Sequence, residues 1–216
     1  MLIFTIVFGN LARINSDGVP YAIFSYTALV PWTYFSNALS SSSTSLLSSA
    51  GILTKVYFPR LIIPLAPVLS KLVDFCIAFI ILLVMMIYYN IMPSGNVLLL
   101  PYLIILMIIT TNGMGMWLTS LAIKYRDINY GMQFFLQLLM YVAPVVYPAS
   151  NIPQEYRLIY GLFPMSGVIE GFRSILLQTN PIPWDLLIMG TIVSSFIFIS
   201  GAYYFKRMEK YFADVA

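Results

Sequence analysis

Four ionisable residues lie inside apolar sequence: Lys71 and Asp74, three apart in one run, and Glu170 and Arg173, three apart in another. A charge in hydrocarbon is costly and usually has work to do, which makes these residues the first candidates for ion coupling or a relay. Three-residue spacing also puts each pair on one helical face, where the two charges can neutralise each other. Both readings stay open: a local pair, or for Lys71 and Asp74 a part in helix coupling or substrate passage. The remaining inventory is thin. With no histidine, the chain lacks the commonest metal ligand and the commonest proton carrier near neutral pH. No G-x-x-x-x-G-K-[ST] occurs, so any use of ATP falls to a partner. Cys76, the single cysteine, lies in an apolar run and offers no disulfide framework. Catalytic residues and metal ligands are both expected to be absent.

The elements that must position these residues are apolar. Hydrophobic residues make up 60% of the 216 and charged residues 9%, against about 45–50% and about 25% in soluble domains. This excludes a greasy globular enzyme, and a nucleic-acid partner is not expected. Judged against the roughly 20 residues a helix needs to span, full spans are expected at about 21–49, 61–89, 97–122, 128–146 and 184–205. Met1 to Ala12 would rise only about 18 Å as a helix and is expected to be the end of a first span whose beginning lies upstream. Asn90-Ile91-Met92-Pro93-Ser94-Gly95-Asn96 reads as a tight reversal. Between 143 and 183 six prolines break the apolar sequence, which suggests a re-entrant segment whose backbone must be satisfied by protein or a wet cavity. The expected fold is an all-α membrane protein, one transmembrane domain over 1–216: a six-helix polytopic bundle with a truncated first helix and a re-entrant helical hairpin before the last span.

Charge orients this bundle. If spans alternate, Lys55, Arg60, Lys71, Lys124, Arg126, Lys206, Arg207 and Lys210 fall to one face, and Arg13, Arg157 and Arg173 to the other. The positive-inside rule makes the richer face cytoplasmic and puts both ends of the complete protein there. Serines at 40–43, 45, 48 and 49 permit close helix approach or line a wet passage. Gly167 and Gly171 form one G-x-x-x-G, which fits a dimer face or packing within the chain. Trp32, Tyr34, Tyr57, Tyr88, Tyr89, Tyr141, Tyr147, Tyr156, Tyr160, Trp184, Tyr203 and Tyr204 cluster at expected span ends, where interface anchoring explains most; some could hold sugar faces along a passage.

Five motifs in order complete the reading: LTKVYFPRLIIPLAPVLSKLVDF at 53–75, KYRDI at 124–128, APVVYP at 143–148, FPMSGVIEGFR at 163–173 and FADV at 212–215. Together they closely resemble the permease subunits of type-2 ABC exporters, in the polysaccharide and polyol-phosphate class that includes O-antigen and teichoic-acid transporters. The resemblance implies a permease homodimer joined to two copies of a separate ATPase subunit that carries ATP and Mg, moving a lipid-linked glycan outward across the bacterial plasma membrane, with membrane lipids around it. It assigns the loop 51–60, with Lys55, Val56, Tyr57, Phe58, Pro59 and Arg60, to the element that docks on the ATPase. The outer gate is expected in the hairpin, around Pro144, Tyr147, Pro148, Pro164, Gly167, Glu170, Gly171 and Arg173. Two alternatives share the composition: a type-2 exporter of a drug or small lipid, and a membrane-embedded glycan or lipid transferase, for which acids and bases are scarce.

Overall fold

The computed structural model describes residues 16–49, 59–125 and 127–209, the side chains of 129, 154 and 158 excepted. These residues are helical, with no strand among them. Seven α-helices follow in order: α1 Tyr21–Ser48, α2 Ile62–Tyr88, α3 Leu100–Lys124, α4 Asp127–Val142, α5 Gln154–Tyr160, α6 Pro164–Leu177 and α7 Trp184–Met208, with short 3₁₀ turns at Gly95–Leu99 and Ala149–Asn151.

Among the described residues, three helical stretches are long and apolar enough to cross a membrane: Ile62–Tyr88, Gly95–Lys124 and Trp184–Met208. The expected five full spans divide differently. α1, at 28 residues, has the length but is too rich in hydroxyls to meet the composition of a span. α4 has 16 residues and rises about 24 Å, short of a hydrocarbon core about 30 Å thick. It stops at Val142, not at 146 as expected, because a proline at 144 disfavours helical backbone at Ala143 and cannot donate to the ladder.

The reversal after α2 is built as its residues suggest. Asn90 adopts the left-handed region at φ 54°, and the Ile91 amide donates to the Met86 carbonyl at 2.9 Å, closing the helix. The Ser94 Oγ then accepts from the Asn96 amide and starts the next turn.

α1 is the central strut. Tyr26, Tyr34 and Ser42 donate to the Ala78, Val68 and Pro64 carbonyls of the antiparallel α2. On its other side Thr119 of α3 donates to the Ser42 carbonyl, and most other α1 hydroxyls bond back to their own helix. Trp32 and Tyr34 are buried in this core, not placed at an interface as anchors. α3 and α7 run parallel and very close. A Cβ on Gly113 would meet the Phe198 amide nitrogen at 2.7 Å, and one on Gly201 would meet the Gly113 carbonyl at 2.5 Å. Thr110 bonds Ser194, Trp117 donates to Ser200, and the Trp117 and Tyr204 rings stack 4.3 Å apart.

The helix ends sort into two faces. Leu46, Ile63, Met116 and Phe205 form a small core at the end that carries Arg60, Lys124 and Arg207, the basic end. The segments around 16–20, 90–94 and 143–183 meet at the other, the hairpin end, where Asn180 donates to Asp17 and Gln178 to the Met92 carbonyl.

Candidate functional site

The hairpin end is organised by α6, whose fourteen residues are all buried. Small side chains allow this. A Cβ on Gly167 would meet the Leu186 carbonyl of α7 at 2.9 Å, and one on Gly171 would meet the Leu103 side chain of α3 at 2.9 Å. The G-x-x-x-G therefore packs inside this chain. The end of α6 is capped by Gln178 at φ 55°, and the Ser94 amide donates to the Ile175 carbonyl at 2.8 Å.

Glu170 and Arg173 are more than a local pair. Arg173 is fully buried, with Nη1 donating to Glu170 Oε1 at 2.9 Å and to the Tyr147 carbonyl at 3.2 Å, and Nη2 donating to the Val145 carbonyl at 2.9 Å. Its guanidinium carbon lies 3.6 Å from the Phe24 ring centroid. Glu170 Oε1 also accepts from the Ala149 amide at 3.1 Å, and the Tyr21 hydroxyl donates to the Val146 carbonyl at 2.9 Å. Three successive carbonyls of the proline-flanked loop 143–149 thus find side-chain partners. They have no sheet or helix partner, and burying them unpaired would be costly. Removing one member of such a buried charge pair costs about 3–5 kcal/mol in soluble proteins, because the other is left uncompensated.

The other expected gate residues gather here. Pro144, Pro148 and Pro164 are buried. Tyr147 donates back to the Tyr141 carbonyl at 3.0 Å and receives the Tyr160 hydroxyl at 3.4 Å. Burial pushes the Tyr160 phenol above its ordinary pKa, and the bond to Tyr147 adds to the shift, so it stays protonated. Arg157 pairs with Asp185 of α7 at 2.9 Å as an ion pair without hydrogen-bond alignment. Both basic residues described at this end are therefore countered by acids, whereas Lys124, Lys206 and Arg207 at the other end are exposed.

Of the expected coupling residues, Lys55, Val56, Tyr57 and Phe58 lie outside the described residues. Pro59 is exposed, and Arg60 Nη1 donates to the Glu209 carbonyl beyond α7 at 2.8 Å, with its Nε 4.0 Å from Glu209 Oε1. Lys71 and Asp74 do pair, at 2.9 Å, on an outward part of α2 beside Thr33 and Asn37 of α1. Below them Ser41, Ser45, Ser48 and Ser70 help line an open cleft of about 440 Å³. The serine run thus serves both readings: Ser42 packs, and its neighbours face the cleft.

A further face carries a pattern left unassigned in the sequence. α4 exposes Tyr130, Gln133, Phe134, Gln137 and Tyr141, with Phe135, Leu138 and Val142 exposed among them, while Met132 and Leu136 turn inward. The spacing is helical, which was the available signal. By contrast, the outward face of α2 continues as Ile77, Ile80, Ile81, Val84 and Ile87.

A family model described as ABC-2 type transporter matches residues 1–177, ending with the last residue of α6. The chain belongs to the ABC-2 type transporter family. Curated relatives align beyond that point. The O-antigen export system permease protein RfbA of Myxococcus xanthus is 24% identical over 214 residues, 98% of this chain and 82% of the relative. Two proteins of that name from Klebsiella pneumoniae are 24% and 23% identical over 215 residues, 99% of this chain and 82% of each relative. This ABC-2 chain is an integral membrane protein and a transporter subunit, and the clamp of Glu170 and Arg173 falls within the region that defines the family.

Proposed function

We propose that the chain is the membrane-spanning subunit of an ATP-driven exporter that moves a lipid-linked polysaccharide outward across the bacterial plasma membrane. It works as a homodimer with a separate ATPase subunit that binds ATP and Mg, and both ends of the complete protein are cytoplasmic. In this reading the basic end is the cytoplasmic mouth, in keeping with the positive-inside rule. The hairpin end is then the outer mouth, its helices α5 and α6 forming a re-entrant pair in a six-helix bundle. Similarity to O-antigen export permeases along nearly the whole chain supports the class of cargo.

The exposed face of α4 carries this reading. Tyr130, Phe134 and Tyr141 are 86%, 66% and 60% exposed, and Gln133 and Gln137 share their side of the helix. Lipid is matched by aliphatic side chains, as on α2. Rings and amides instead match a sugar polymer, whose C–H faces stack on aromatic planes and whose hydroxyls bond amides, without fixed charges to hold it back. Two such faces across a homodimer would make a passage that a neutral glycan can slide along.

The test uses the chain purified with its ATPase subunit and reconstituted in lipid. Lipid-linked glycan is expected to stimulate ATP hydrolysis, and Tyr130→Ala with Phe134→Ala is expected to reduce glycan export several-fold while the complex remains assembled. Stimulation by a small lipid alone, with glycan inert, would overturn the proposal.

A further inference from the structure

Between the end of α4 and the Ala149–Asn151 turn, the carbonyls of Val145, Val146 and Tyr147 are held by Arg173, Tyr21 and Arg173 again, and the Ala149 amide by Glu170. The holding groups sit on α6 and α1, both deeply packed; the loop buries Ala143, Val145, Val146 and Ala149 beside them, while its backbone makes only short turns to its own neighbours. α6 has little freedom to shift, since Gly167 touches the α7 backbone and Gly171 the Leu103 side chain. The joint between loop and helix therefore adds side-chain hydrogen bonds to buried apolar contacts, and neither kind needs a helix to unwind when it breaks.

We propose that Glu170 and Arg173 are positioning residues of the outer mouth: they fasten the loop 143–149 onto α6, and the mouth opens when this loop peels off while α6 stays in place. The inference rests on the exporter reading for which side is outer and what passes. The fork of the guanidinium is what the task requires, because it reaches two carbonyls two residues apart while keeping its charge against Glu170. A lysine could keep the charge and one of those bonds. Glutamine at 170 could keep an acceptor oxygen but not the charge that compensates the buried guanidinium.

Ala149 is 3% exposed, so a cysteine there reports peeling. In the assembled export complex, with Cys76→Ala to remove the native thiol, Ala149→Cys is expected to react slowly with an impermeant maleimide added outside spheroplasts. Adding Arg173→Lys is expected to raise that rate about tenfold, Glu170→Gln to raise it by a similar factor because it leaves the buried guanidinium uncompensated, and Tyr21→Phe to raise it less. Leu176→Cys, on the buried α6, should stay unlabelled in all of them, which separates peeling from unfolding. An unchanged Ala149→Cys rate in Arg173→Lys overturns the proposal. If Arg173→Lys fails to reach the membrane, an unchanged rate in Glu170→Gln overturns it equally. The labelling shift does not depend on cargo: if it appears while the unmodified complex exports no glycan, the clamp stands and the exporter reading falls.

Discussion

At the scale of residues, the two ends of the molecule use arginine in the same way, as a donor to backbone carbonyls of another segment. Arg173 does so in a buried setting and Arg60 in a half-exposed one, where it caps the last turn after α7. The contact with the Glu209 carboxylate is long at 4.0 Å, whereas the bond to its backbone carbonyl is 2.8 Å. Removing the Glu209 side chain should therefore matter less than removing Arg60. Since exposed pairs contribute about 0–1 kcal/mol, neither change should prevent folding. If the loop before α2 couples to the ATPase as proposed, Arg60→Ala is expected to leave ATP hydrolysis by the complex intact and to lower export by loosening the link to α7, with Glu209→Ala nearer to normal. Export and hydrolysis measured on the same preparations decide this: equal loss in both variants, or unimpaired export in Arg60→Ala, would remove the link.

At the scale of elements, the close approach of α3 and α7 sets what glycine substitutions do. A methyl group on Gly113 would press on the α7 backbone, so Gly113→Ala should destabilise by about 1–3 kcal/mol. Gly131 on α4 has nothing within 4 Å of its missing Cβ, and Gly131→Ala should stabilise by up to about 1 kcal/mol through helix propensity alone. Unfolding midpoints of the two variants should move in opposite directions; a fall in both would mean that α4 is packed where it now shows open space. Such contacts were not legible in the sequence, because a glycine at a crossing and a glycine facing outward look alike. What could be read was local. The limits of α1, α2 and α7 follow from apolar lengths, and the turn after α2 from Asn90 and Pro93. The spacing of Glu170 and Arg173 revealed their pairing, but their grip on a loop more than twenty residues away depends on tertiary packing. The burial of Trp32 and Tyr34 was missed for the same reason, since a ring near the end of an apolar run serves an anchor and a core equally well.

At the scale of the whole molecule, two outward faces differ in chemistry, and the difference can be measured. α2 turns isoleucine and valine outward along with Cys76, while α4 turns out tyrosine, phenylalanine and glutamine with Leu138 and Val142 between them. Hydrocarbon suits the first and leaves the amides of Gln133 and Gln137 without partners, so the second belongs against water, glycan or a second copy. Single cysteines placed along α4 in a Cys76→Ala background should react with a hydrophilic maleimide at 130, 133, 134, 137 and 141 and resist it at 132 and 136, a period near 3.6. Cysteines at 77, 80, 81 and 84 of α2, and the native Cys76, should stay unreactive because a hydrophilic maleimide does not enter hydrocarbon. Supplying lipid-linked glycan to the assembled complex should then protect the α4 positions and leave α2 unchanged. Reactive α2 positions with a silent α4 would exchange the two surfaces, putting lipid against the rings and the passage along α2 beside Lys71 and Asp74.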